Sequence, residues 1–145
     1  MQIMLTLLLP RDEQTIPMAR HIASNAMQEI GVDEDAVQDI AVALTEACTN
    51  VLKHSGPGEE YEVSLDVHEV NCTIRVKDTG RGFDSASLGP NRTDISSEQG
   101  RGIELMQALV DRVRFTSKPE AGTVVHLEKV VAYGAGSLAG RSSRA

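Results

Sequence analysis

At 145 residues, with 41% hydrophobic residues, the chain has the size of one domain and enough apolar material for a real core. Only 3% is aromatic and there is no Trp, so that core is aliphatic. The formal charge of −7, without a Lys/Arg run long enough to follow a phosphate backbone, argues against direct nucleic-acid binding.

The apolar run Ile3–Leu9 reads as a strand: it lacks a basic n-region and a cleavage site, and is too short to span a bilayer. No other segment is a membrane candidate, and the expected location is the cytoplasm. A first helix is predicted from about Thr15, with Pro17 in its first turn and Ala19, Ile22, Ala23, Ala26, Met27 and Ile30 as the buried stripe, ending at Gly31. Arg20 and His21 border that stripe. A second helix follows the cap at Asp33, with Val37, Ile40, Ala41, Leu44, Cys48, Val51 and Leu52 facing inward, and stops near His54 ahead of Ser55-Gly56-Pro57-Gly58. Cys48 and Cys72 are expected as two buried thiols rather than a disulfide.

Alternation at Tyr61, Val63, Leu65 and Val67, then at Cys72, Ile74 and Val76, predicts a hairpin. A long polar connection from Asp84 to Gln99 has the character of a lid. Gly100-Arg101-Gly102 is expected to open a third helix packed through Ile103, Leu105, Met106, Leu109 and Val110. Strands around Val113–Ser117 and Thr123–Val131 form a closing hairpin, and the Gly/Ser/Ala/Arg-rich end has little to pack. Hairpins plus helices with one apolar stripe each predict an α+β fold, a two-layer α/β sandwich with a mixed, largely antiparallel sheet and its helices on one face. Residues 1–132 are expected to form one domain, with 133–145 a disordered tail.

Three motifs carry chemistry. Glu46 and Asn50 stand four residues apart and so share a helix face, where a carboxylate can take a proton and a carboxamide oxygen can meet a hard cation. Asp78-Thr79-Gly80-Arg81-Gly82 follows a strand; it is either a simple turn or a loop that lets backbone approach a ligand while Asp78 accepts a hydrogen bond from an exocyclic amine. Gly100-Arg101-Gly102 is either a helix cap and hinge or a phosphate cradle of free amides. His21, His54, His68 and His126 are too scattered for a zinc site.

In their order along the chain these motifs resemble the N box, first glycine box and second glycine box of the GHKL, or Bergerat-fold, ATP-binding domains; Gly122-Thr123 resembles that family's last characteristic element. Among its members the chain looks most like the bacterial anti-sigma factor serine/threonine kinases. The resemblance implies ATP and Mg²⁺ as ligands. It makes Glu46 the general base and Asn50 the Mg²⁺ ligand, and assigns Asp78 to the adenine amine, with Gly80 and Gly82 shaping that wall. Gly100 and Gly102 would lie beside the phosphates, Thr123 near the adenine, and Arg20 against a protein partner. It further implies that the chain sequesters a sigma factor, phosphorylates an anti-sigma factor antagonist and forms a homodimer. The rival reading is a non-catalytic ATP-binding module that sequesters a partner.

Overall fold

The computed structural model describes residues 2–54, 60–78, 97–118 and 122–134. The elements run β1 (Gln2–Pro10), α1 (Thr15–Ile30), α2 (Glu34–His54), β2 (Glu60–His68), β3 (Asn71–Asp78), α3 (Ser97–Leu109), β4 (Arg112–Lys118) and β5 (Gly122–Val130). The sheet order is β1-β2-β3-β5-β4, and every neighbouring pair is antiparallel. The expected mixed sheet is therefore corrected. Strands β3 and β4, joined through α3, do run the same way, but β5 inserts between them, so no parallel pair is hydrogen-bonded among the described strands.

Period-two alternation decides which face is covered. In β2, Tyr61, Val63, Leu65 and Val67 are buried and the residues between them are half-exposed; β3 repeats this with Cys72, Ile74, Val76 and Asp78. The helices cover that apolar face: α2 packs on β3 and β5, α1 on β1 and α3 on β4. Alanines let α2 come close, for Ala43 and Ala47 are fully buried together with Ala19 and Ala23 of α1, and they join Leu44, Cys48 and Val51 in a wider stripe than expected. Ala41 and Leu52, expected inward, are only half-buried. In α3, Met106 is fully buried whereas Leu105, expected to pack, is 39% exposed.

Local chemistry sets the boundaries. Gly31 ends α1 at φ 92°, a left-handed conformation that glycine adopts at no steric cost, and its N–H donates to the carbonyl of Gln28. Thr15 fixes the start of α1: its hydroxyl lies 2.6 Å from the Asp12 carbonyl and 2.7 Å from the Tyr61 hydroxyl, tying the helix to β2. The ordered backbone also passes the expected boundary at residue 132. Tyr133 forms a bridge with Val32 and donates to the Glu69 carbonyl, and the Gly134 N–H donates to Gly31. The rest of the expected tail, 135–145, lies outside the described residues.

Cys48 and Cys72 are free, buried thiols, as expected. Burial pushes each from an ordinary 9.0 up to about 12, and it pushes the Tyr61 hydroxyl from 10.0 to about 12, against the lowering effect of its bond to Thr15. A neutral group with a raised folded-state pKa contributes stability that is complete below its unfolded value and lost as pH rises through the folded one. Thermal melts should therefore hold their midpoint up to about pH 9 and lose it progressively between about pH 9 and pH 12. A Cys48→Ala/Cys72→Ala pair should shift the onset of that loss toward pH 10, the ordinary value of Tyr61. A midpoint that stays flat through pH 12 would contradict this.

Candidate nucleotide site

Among the described residues the buried polar or charged side chains are Asn50, Asp78 and Thr123, at 4%, 0% and 0% exposure. Burying such groups costs roughly 2–7 kcal/mol each without compensating partners, so their concentration asks for a reason. Asp78 is the last residue of β3 and faces the helices. Its cross-strand neighbour on β2 is Tyr61, also fully buried. Across the other edge of β3, Lys77 pairs with Val124, and continuing that register brings Thr123 beside Asp78. Tyr61, Asp78 and Thr123 thus form one buried row across the end of the sheet.

Helix α2 lies over β3 and β5 and supplies Glu46 and Asn50 one turn apart. The face they share meets α3. A Cβ added at Gly102 would stand 3.1 Å from Glu46 Oε2 and 3.9 Å from Asn50 Nδ2. Absence of a side chain at 102 is what lets α3 approach the carboxylate and the carboxamide this closely. Glu46 is half-buried, whereas the Asn50 Nδ2 is fully buried and has no hydrogen-bond partner among the described residues. The oxygen and nitrogen of a carboxamide exchange by a simple flip, so this end of Asn50 can offer either a donor or an acceptor to a ligand.

The second glycine motif does not sit ahead of its helix. Helix α3 begins at Ser97, so Gly100 and Gly102 fall within its first two turns. The expected cradle of free amides at Gly102 is therefore replaced by close helix–helix approach, because its own N–H lies inside the helical ladder. Gly80 and Gly82 lie outside the described residues. Arg20 stands exposed on α1 and donates to the Thr45 hydroxyl at 3.3 Å, one residue before Glu46. Tyr61, read in the sequence as one more strand residue of the apolar face, lies buried directly beside Asp78. Its hydroxyl was the available signal, since a buried phenol needs a polar partner, here Thr15.

The residues present fit a magnesium nucleotide. Among the described residues no three His, Cys, Asp or Glu groups gather into a metal cage. A Mg²⁺ shared with a triphosphate needs only one or two protein oxygens, and an amide flip would set the Asn50 oxygen where its buried Nδ2 now lacks a partner among the described residues.

A family model for the histidine kinase-like ATPase domain matches residues 9–129. The chain therefore belongs to the histidine kinase-like ATPase domain family. Its relatives include the serine-protein kinase RsbW of Bacillus velezensis, 30% identical over 132 residues that cover 83% of this chain and 81% of that one. The serine-protein kinase RsbW of Listeria innocua is 31% identical over 121 residues, 76% of this chain and 77% of that one. In fold, the chain is similar to the crystal structure of the RsbU and RsbW domains of a Mycobacterium tuberculosis protein, with a TM-score of 0.69 at 21% identity; the match covers 92% of this chain but spans only 34% of that one. A histidine kinase domain from Erythrobacter litoralis gives 0.53 at 16% identity, over 85% of this chain and 62% of that one.

Gly102→Ala tests the packing around Glu46. Alanine favours a helix over glycine by up to about 1 kcal/mol, and the Glu46 carboxylate is a flexible end that can move a few tenths of an ångström aside. Stability to urea should be unchanged or slightly higher while phosphoryl transfer falls about tenfold to a hundredfold, because the carboxylate leaves its position. Unchanged turnover in this variant would show that the close approach has no catalytic role.

Proposed function

We propose that the chain is an ATP-dependent serine-protein kinase of the RsbW type, which sequesters a sigma factor and transfers the γ-phosphoryl group of ATP to a Ser or Thr of an anti-sigma factor antagonist. The observation that carries this reading is the convergence of Glu46, Asn50 and Gly102 at the contact of α2 and α3, next to the buried row that holds Asp78. Non-catalytic ATP binding needs Asn50 and Asp78 but has no use for a carboxylate held beside them.

Each residue then has a separate task. Asp78, at the end of β3, accepts a hydrogen bond from the adenine amine, and Thr123 and Tyr61 close the wall on either side of it. The carboxamide of Asn50 holds Mg²⁺, which when bound offsets the charge of the phosphates. Gly100 lies on the same turn of α3 as Gly102, whose closeness holds Glu46 in place. Glu46 accepts the proton of the attacking hydroxyl as the oxygen forms its bond to the γ-phosphorus and ADP leaves. Little covalent work falls to the protein; positioning and electrostatics supply the rate. Exposed Arg20, anchored to Thr45 within one residue of Glu46, is the group of α1 suited to hold a protein partner at that edge. Among the described residues no helix is long and apolar enough to cross a membrane; a cytoplasmic location and a homodimer complete the reading.

Incubation with radiolabelled ATP, Mg²⁺ and purified antagonist domains should place label on a Ser or Thr. Glu46→Ala should abolish transfer, by about a hundredfold or more, while keeping nucleotide affinity within a few-fold; Asn50→Ala should lose both. Tight ATP binding with no label on any antagonist would leave the chain a binding module and overturn the kinase reading.

A further inference from the structure

The face of the sheet away from the helices has its own organisation, unconnected to nucleotide chemistry. Register places Ser64, Arg75, His126 and Arg114 in one row across β2, β3, β5 and β4. The neighbouring row runs Asp66, Thr73, Glu128 and Arg112, and the row on the other side Glu62, Lys77, Val124 and Thr116. On β3, β5 and β4 this face therefore presents Arg75, Lys77, Arg112 and Arg114 against the single carboxylate of Glu128. In a chain of net charge −7 that is a pronounced reversal of sign. Acidic Glu62 and Asp66 on β2 bound the patch along one side.

Intramolecular pairing does not consume these cations. Arg112 reaches Glu128 at 3.8 Å, and His126 lies 3.0 Å from the same carboxylate. Glu128 is held below the usual carboxylate range, first by its bond with His126 and further by Arg112 and Arg114. Arg75 and Arg114 are exposed and make no ion pair within 4.0 Å among the described residues, Arg114 acting on Glu128 only from farther away. Beside the patch lies an open cleft of about 380 Å³ lined in part by Thr73, Asp111, Arg112 and Glu128.

We propose that the open face of β3, β5 and β4 is a docking surface for an acidic helix of a protein partner. Geometry selects the helix. Arg75 and Arg114 stand two strands apart, about 10 Å at the usual strand spacing. An extended segment offers side chains on one side only at steps of about 7 Å, and so misses that distance. A helix with carboxylates seven residues apart spans about 10.5 Å on one face and meets both guanidinium groups. A nucleic acid fits worse: Glu128 interrupts the patch, and the net charge repels a long polyanion.

An NMR titration tests this, using the ¹⁵N-labelled chain and an Ala-based helical peptide that carries Glu pairs seven residues apart. Amide shifts should concentrate at Arg75, His126 and Arg114, persist with saturating Mg-ATP, and be absent with the peptide in which Gln replaces each Glu. Arg75→Ala/Arg114→Ala, both at exposed positions, should keep the wild-type melting temperature and weaken binding about tenfold. The proposal is overturned if the Gln peptide binds equally well, if the double variant binds unchanged, or if Mg-ATP displaces the peptide. Tighter binding of a 20-bp DNA duplex at the same amides would overturn it as well, as would sedimentation showing that these arginines hold two copies of the chain together.

Discussion

The molecule is organised around polar groups taken out of water at one end of an otherwise aliphatic sheet. Asp78 and Thr123 lie fully buried at adjoining strand ends, and Asn50 is buried on the helix above. Polar groups can be buried there only where each finds a partner, a demand that Val or Leu would not make. The sheet supplies the fixed frame. Register sets Tyr61 beside Asp78, and the Thr15–Tyr61 hydrogen bond fastens that corner to the first helix. The alanine face of α2 allows that helix to sit low enough for Asn50 to reach the same region. One residue on α3, Gly102, then decides how near the third helix comes to Glu46.

Much of this was legible in the sequence, for identifiable reasons. Strict alternation in β2 and β3 set both the hairpin and its inward face, and Gly31 could hardly be anything but the end of a helix. The candidate motifs stood out by residue type and spacing, but the sequence set Asn50 beside the apolar stripe of α2, and its burial at 4% exposure came only with the packing of the helices. The failures have physical causes too. Helical periodicity marks a stripe but not its width, so Ala43 and Ala47 went unnoticed; small residues are ambiguous until the neighbouring helix is in place. Gly100-Arg101-Gly102 suggested a helix start, since glycines are poor helix formers, yet three preceding residues are already helical. Here tertiary packing outweighed propensity. Strand order was also beyond local pattern, because inserting β5 between β3 and β4 is a non-local choice.

The two faces of the sheet differ in character. The covered face holds the apolar core and, at its end, the buried Asp78 and Thr123; the Arg20–Thr45 hydrogen bond ties α1 to α2 within one residue of Glu46. The open face is charged, and basic on β3 and β4, in an acidic chain. On the proposed reading, a partner held on the open face leaves the residues assigned to the nucleotide unobstructed.

The central claim is that Asp78 reads the amine of adenine, and it is tested most directly by calorimetric titration of the chain with Mg-ATP and with Mg-ITP, which carries an oxygen in place of that amine. A buried carboxylate set to accept that hydrogen bond should bind ATP and lose affinity for ITP on the order of a hundredfold or more, since two acceptors would then face each other. Equal affinity for the two nucleotides would contradict the assignment of Asp78, and with it the account of why this end of the sheet buries polar groups.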